Sequence, residues 1–340
     1  MRVLALLSCL ILGAFSPLLA ASKNLQIYFI DVEGGQATLI VSPSGESMMV
    51  DAGWPGNGGR DADRIAAAAK DAGIDKIDYL VITHYHMDHV GGAADLAAKI
   101  PIGTFVDHGD NTETSAQAKK LSAMYMEARD KARHLEVKPG DKIPVKGLQV
   151  DVLTARGEKM AKPLKGAGKS NTLCSSATQK DVDRSENARS LGTLVTFGKF
   201  RFIDLGDLTW NKENELVCPG NPIGTVDVYL TTHHGLAASG PATVVHALHP
   251  QVAIMNNGLN KGGAADAIKV VRTSPGLKDL WQLHWSANGG DQNVDEQMIA
   301  NTEKEPETHG PGHWLKIEAK SNGEFTVTNQ RNGFSKTYKK

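Results

Sequence analysis

The sequence predicts an α/β protein of two similar halves, packed sheet against sheet with helices outside, an αββα sandwich. Three observations carry this. Short β-type runs alternate with turns and then with helical patterns, the whole order repeats in the second part of the chain, and strand ends run directly into polar loops. At 340 residues the chain is long enough for one large layered domain with insertions. A composition of 41% hydrophobic and 22% charged residues is that of an ordinary globular protein and excludes intrinsic disorder. Lys+Arg 37 against Asp+Glu 38 leaves a formal net charge of −1, so tight general binding to nucleic acid is not expected.

Residues 1–21 read as an address. Arg2 supplies a positive charge, Val3 to Leu12 is apolar, and Ser16-Pro17-Leu18-Leu19-Ala20-Ala21 ends the run with small residues, which is the pattern of a secretory signal peptide. A spanning anchor needs about 20 apolar residues, and Gly13, Ser16 and Pro17 interrupt this one. The expectation is a cleaved leader, a periplasmic or secreted protein with no remaining transmembrane anchor, and one domain over 22–340. Cys174 and Cys218 then remain in an oxidising compartment, either bridged or as two unrelated small residues.

Residues 25–30, 37–41 and 47–50 are short, apolar and separated by Gly, Pro and Ser, so they predict an antiparallel meander. A helix is expected over 61–72, closed by Gly73, then a buried strand over 77–82. A helix from Gly92 to before Pro101, a strand over 102–106 and a helix within 112–133, with Leu121, Met124, Tyr125 and Ala128 on one face, follow. Residues 155–190 lack hydrophobic periodicity and read as a long surface insertion. Residues 191–197 and 200–205 form a hairpin around Gly198-Lys199, 226–230 is a strand, two strand-and-helix units lie around 252–255 and 264–271, and the C-terminal extension alternates like strands from Trp314 to Val327.

Chemistry concentrates in Thr83-His84-Tyr85-His86-Met87-Asp88-His89, directly after the strand at 77–82. His84 and His86 are two apart, so at an extended strand end both imidazoles project to one side and can share a cation. Asp88 and His89 come after the chain has begun to turn and can face a neighbouring position. Imidazole and carboxylate together suit zinc, with manganese or iron as alternatives. Four ligand-type side chains within six residues, using three of the chain's 12 histidines, do not arise by chance in a surface loop.

The run HYHMDH resembles the His-x-His-x-Asp-His motif of the metallo-β-lactamase superfamily. That resemblance implies a four-layer αββα sandwich, one or two bound ions, and a metal-dependent hydrolase in which the ions make hydroxide available at neutral pH and Asp88 orients it. It directs attention to further residues. Asp51 in Asp51-Ala52-Gly53 is similar to a carboxylate that orients a ligating histidine. Asp207, in Asp204-Leu205-Gly206-Asp207, is similar to a carboxylate that bridges two cations, with Asp204 as its nearest competitor. One of His233 and His234, in Thr232-His233-His234-Gly235, would bind metal while the other contacts substrate or donates a proton; adjacency leaves open which.

The chain departs from the commonest pattern in one place, because no histidine lies between His134 and His233. The Asn187-x-x-Ser190 spacing and the run 29–37 resemble instead the branch holding the hydrolase domain of ComEC competence proteins and the phosphorylcholine esterases. Asn187 would then touch substrate or water, and the first metal site would be weaker. His108, after the strand at 102–106, could line the pocket or belong to a solvated turn. The resulting expectation is cleavage of a phosphoester or phosphodiester of a small-molecule or ester substrate. A lactone or β-lactam-type acyl hydrolase, and a non-catalytic metal-binding protein of the same fold, are the alternatives.

Overall fold

The computed structural model describes residues 24–305, 310 and 312–340; the leader expected at 1–21 lies outside the described residues. Two nine-stranded sheets form the centre. In the first, the meander Leu25–Ile30, Thr38–Val41 and Ser47–Val50 runs antiparallel, and Ile77–Val81, Ile102–Asp107 and Arg133–Glu136 then add in parallel. In the second, the hairpin Gly192–Phe197 and Phe200–Asp204 leads into the parallel strands Val228–Leu230, Val252–Met255, Asp279–His284 and Ile299–Asn301.

Alternation explains the layering. Leu25, Ile27 and Phe29 face the second sheet and join Val150, Val195, Phe202 and Val228 in one buried cluster, while Tyr28 and Ile30 point the other way, onto the helices. The Phe29 and Phe202 rings meet edge to face at 5.5 Å across the two sheets. Helices Arg60–Asp71, Ala93–Lys99 and Ala116–Arg129 cover the first sheet, and Trp210–Val217, Ala242–Leu248 and Ala265–Arg272 cover the second. The αββα sandwich is therefore present.

Three local expectations are revised. The C-terminal residues are not an appendage: Trp314–Ala319 pairs antiparallel with Leu25–Ile30, and Phe325–Asn329 and Ser335–Tyr338 extend the same sheet. The segment 264–271 is a helix alone, and the strand after it is Asp279–His284. On Ala116–Arg129, Leu121 and Tyr125 are buried but Met124 is 38% exposed, because the helix covers the sheet margin with a narrow stripe only. Residues 155–190 are mostly irregular, and a Cys174–Cys218 disulfide pins them to the second half.

Candidate metal centre

The parallel strands of both sheets end at one edge, where ligands commonly bind in open α/β sheets. Asp51 follows Ser47–Val50, the His84–His89 loop follows Ile77–Val81, Asp207 follows Phe200–Asp204, and the His233–His234 turn follows Val228–Leu230. Their backbones are unusual. Asp51, His233 and His234 have φ of 59°, 56° and 56°, left-handed values that side chains adopt only where the surroundings enforce them. Gly206 (φ 56°) brings its chain against Thr83, where a Cβ would sit 2.9 Å from the Thr83 Cβ, and so lets Asp207 approach the histidine loop.

Asp88, His89, Asp207 and His234 are all buried, with one ligand atom from each lying within 4.8 Å of the others. His89 Nε2 is 3.2 Å from Asp88 Oδ2, 3.2 Å from Asp207 Oδ2 and 3.3 Å from His234 Nε2. Beside them, His84 Nε2 and His86 Nδ1 face each other at 3.1 Å, and His84 Nε2 is 4.0 Å from the same Asp207 Oδ2. His233 Nε2 lies 3.4 Å from the same carboxylate oxygen. Asp207 thus faces both donor groups, its Oδ2 toward His84, His89 and His233 and its Oδ1 toward His234, and no third histidine joins His84 and His86 from the region before the hairpin.

Proton bookkeeping tests whether a metal fits. Asp51 Oδ2 can only accept, so His89, at 2.7 Å, carries its proton on Nδ1 and turns a bare Nε2 inward. The Thr83 hydroxyl donates to Asp51, so Thr83 Oγ1 accepts from His84 Nδ1 and His84 Nε2 is bare. Glu113 takes the proton of His86 Nε2 at 3.2 Å, leaving His86 Nδ1 bare. Ser239 donates to the Leu208 carbonyl, so it accepts from His233 Nδ1 and His233 Nε2 is bare. Four tautomers are set from outside and every lone pair points in. Lone pairs facing one another at 3.1 Å repel unless a cation lies between them. With bonds of about 2.0–2.1 Å, two nitrogens of a tetrahedral zinc site lie about 3.3–3.4 Å apart, close to these separations. The residues fit a divalent metal.

The electrostatics agree. Burial, with the neighbouring His89, drops His84 well below the ordinary histidine range. Burial also opposes charge on His89, yet Asp207, Asp88 and Asp51 together raise it well above that range, so its Nε2, bare in the neutral ring, takes a proton when no metal is bound and would give it up to a metal. Burial opposes charge on Asp207 too, but His234, His89 and His233 hold its carboxyl well below the usual range. Asp204 is separate: it accepts from Gln36 Nε2 and Gly206 N, and burial pushes it up to about 7. Asp207, not Asp204, occupies the central position.

Asp51 touches His89 and Thr83 rather than the cluster's interior. His234 is fully buried within the four-residue group, and His233 stands beside it nearer solvent. Asn187 lies in the turn Glu186–Arg189, its Oδ1 buried without a hydrogen-bond partner, and that turn leads to Ser190, whose Oγ accepts from Asp207 N. His108 is neither pocket-lining nor solvated. It is sealed under Tyr85, with its Nε2 3.1 Å from Glu186, because the strand Ile102–Asp107 carries it inward.

Sequence reasoning missed Thr83, Glu113, Ser239 and Lys261. Lys261 Nζ pairs with Asp88 Oδ2 and lies 4.9 Å from the centre of the Trp54 ring. Its signal was available as a charged residue in the Gly-rich loop after a parallel strand; Glu113 and Ser239 had none. Next to the cluster opens a cavity of about 300 Å³ lined by Trp54, Tyr85, His86, Met87, Asp88 and Leu121.

Two sheets packed face to face thus carry a buried Asp–His cluster at their strand ends that could hold a metal ion. Residues 30–168 match the family described as Metallo-beta-lactamase superfamily. A search of curated proteins gave no match. Among solved structures, the metallo-beta-lactamase fold protein YhfI from Bacillus subtilis is similar at 10% identity and TM-score 0.46, covering 86% of this chain and 99% of that one. A diphosphatase of the PhnP family is similar at 11% identity and TM-score 0.41, covering 87% and 98%. CmlA, a diiron beta-hydroxylase from Streptomyces venezuelae, is similar at 16% identity and TM-score 0.39, covering 68% and 44%. This chain spans about half the length of the CmlA structures it matches.

Proposed function

We propose that this chain is an exported metal-dependent hydrolase of phosphoester or phosphodiester bonds, using zinc. The observation that carries the reading is that the one carboxylate of Asp207 faces two sets of inward-facing donors, His84 with His86 and His89 with His234. A carboxylate so placed suits two cations, an arrangement that serves both the attacking and the leaving oxygen of an in-line displacement. Bound metal supplies a lower pKa for water and polarises the scissile phosphoryl group.

The chain's own groups do the remainder. Asp51, Thr83 and Glu113 keep His89, His84 and His86 in the tautomer that receives a cation, and Ser239 leaves His233 Nε2 open to take a proton. Asp88 offers a carboxylate at the cavity wall to orient the attacking water. His234 is buried on the holding side, while His233, with a side chain 12% exposed, can hold or move a proton at Nε2 beside the leaving group. Metal analysis of purified protein together with hydrolysis of bis(p-nitrophenyl) phosphate tests the reading. Metal-replete protein with no bound transition metal refutes it, and bound metal with no turnover of any ester leaves the non-catalytic alternative.

Export is supported by the apolar leader and by the disulfide, which is characteristic of oxidising compartments. Mass spectrometry of the native protein should find a mature N-terminus near Ala21 or Ser22; retention of Met1 and Arg2 overturns cleavage.

A further inference from the structure

Lys261 is a cation at the edge of a site built to receive other cations. Its loop is sewn to the metal-binding turn. Gly263 N donates to the His234 carbonyl at 2.9 Å, Ala264 N donates to the Gly235 carbonyl at 2.9 Å, and Gly258 N donates to the carbonyl of Lys261 itself at 2.8 Å. A Cβ on Gly262 (φ 76°) would sit 2.2 Å from the His234 carbonyl oxygen, so the approach depends on glycine there. The backbone of Lys261 is therefore fixed relative to the cluster, while its four-carbon stem, with a side chain 29% exposed, can move its charge at the rim.

In the present arrangement the ammonium rests on Asp88 Oδ2, an oxygen that also lies 3.2 Å from both His89 Nε2 and His234 Nε2. That oxygen cannot serve a divalent ion and an ammonium equally, because the ion carries the larger charge at the shorter distance. A divalent ion held by the cluster would thus release Lys261 from Asp88. On one flank it has Trp54, which lines the cavity beside the cluster; on the other it borders a smaller hollow with Glu33 and Glu303. The aromatic face holds an ammonium without neutralising it, so on the Trp54 side the charge stays available within reach of whatever occupies the cavity.

We infer that Lys261, steadied by Trp54, binds an anionic oxygen of the substrate next to the scissile bond and selects anionic esters. This rests on the hydrolase reading above. Atom for atom it needs no new chemistry: the ammonium exchanges a carboxylate partner for a substrate oxyanion, in a charge-assisted hydrogen bond.

The test uses zinc-loaded full-length wild type, Lys261→Met, which keeps the stem, and Lys261→Arg, which keeps the charge. The measurements are calorimetric affinity for inorganic phosphate, zinc per chain, and KM and kcat for bis(p-nitrophenyl) phosphate. The expectation is that Lys261→Met weakens phosphate about tenfold or more and raises KM in step, that Lys261→Arg recovers most of the affinity, and that zinc content is unchanged. Phosphate affinity within about twofold of wild type in Lys261→Met overturns the inference; if zinc binds more tightly in that variant at the same time, the lysine only substitutes for a cation. The hydrolase reading fails separately, as wild-type protein that binds phosphate through Lys261 but turns over no ester.

Discussion

Replacing Asp51 by asparagine exchanges one oxygen for an NH₂ group at a position that never faces the interior of the metal cluster. The native carboxylate accepts from Thr83 N at 2.8 Å through Oδ1, and from Thr83 Oγ1 and His89 Nδ1, both at 2.7 Å, through Oδ2. Asparagine tolerates the left-handed backbone of residue 51 (φ 59°) and can still accept from Thr83 N with its oxygen. Its NH₂ group then confronts two donors. His89 relieves the clash by moving its proton from Nδ1 to Nε2, which delivers a hydrogen into the space between Asp88, Asp207 and His234. Changes of this kind reduce metal affinity about 10–100-fold, about 1.4–2.7 kcal/mol. If the proton stays, the unmade hydrogen bonds cost about 1–3 kcal/mol of apo-protein stability instead. Competition for zinc against a chromophoric chelator, with urea denaturation of the apo protein alongside, measures both. Zinc affinity within about twofold of wild type and unchanged denaturation would refute the tautomer argument, and with it the case that the cluster is preset for a cation.

Asp207→Ala and Asp207→Asn should both lose hydrolysis by orders of magnitude and lose bound metal without loss of circular dichroism, since each removes the charge that faces both donor groups; near-normal turnover in Asp207→Ala would return attention to Asp204. Glu213, buried behind the His233 turn with its Oε2 accepting from Gly240 N, is pushed up to about 8 by burial. Its folded pKa exceeds its unfolded value near 4.5, so the folded state holds the proton longer. Stability present below about pH 4.5 is progressively lost up to about pH 8. The melting temperature of Glu213→Gln minus that of wild type should therefore rise across that window, and a flat difference would contradict the burial argument. Replacing both Cys174 and Cys218 by serine opens a loop with a sequence separation of 44, which by chain entropy costs up to about 4 kcal/mol; a denaturation midpoint equal to wild type would show that the insertion is already held by other contacts.

The layered fold and most of the metal cluster were legible in the chain order because they depend on local information. Alternating apolar runs such as 25–30 specify which face is buried, and His84, His86, Asp88 and His89 lie within six residues, so one strand end suffices to present them. Asp207 and the His233–His234 pair were singled out by the resemblance to the superfamily's motifs, which pointed to these short runs after strands. What the sequence alone left open was settled by contacts between distant segments. Adjacency cannot distinguish His233 from His234; the left-handed turn does, by burying one and leaving the other at the rim. His108 was left open between the pocket and a solvated turn, and the sheet instead carries it under Tyr85 to Glu186, 78 positions away. Glu113, Ser239 and Lys261 stand in unremarkable surroundings, and their importance arises only where folding sets them against His86, His233 and Asp88. A metal ligand's residue type is written in the chain, but the direction of its lone pair is decided by the neighbour that takes its proton, and those neighbours are chosen by tertiary structure.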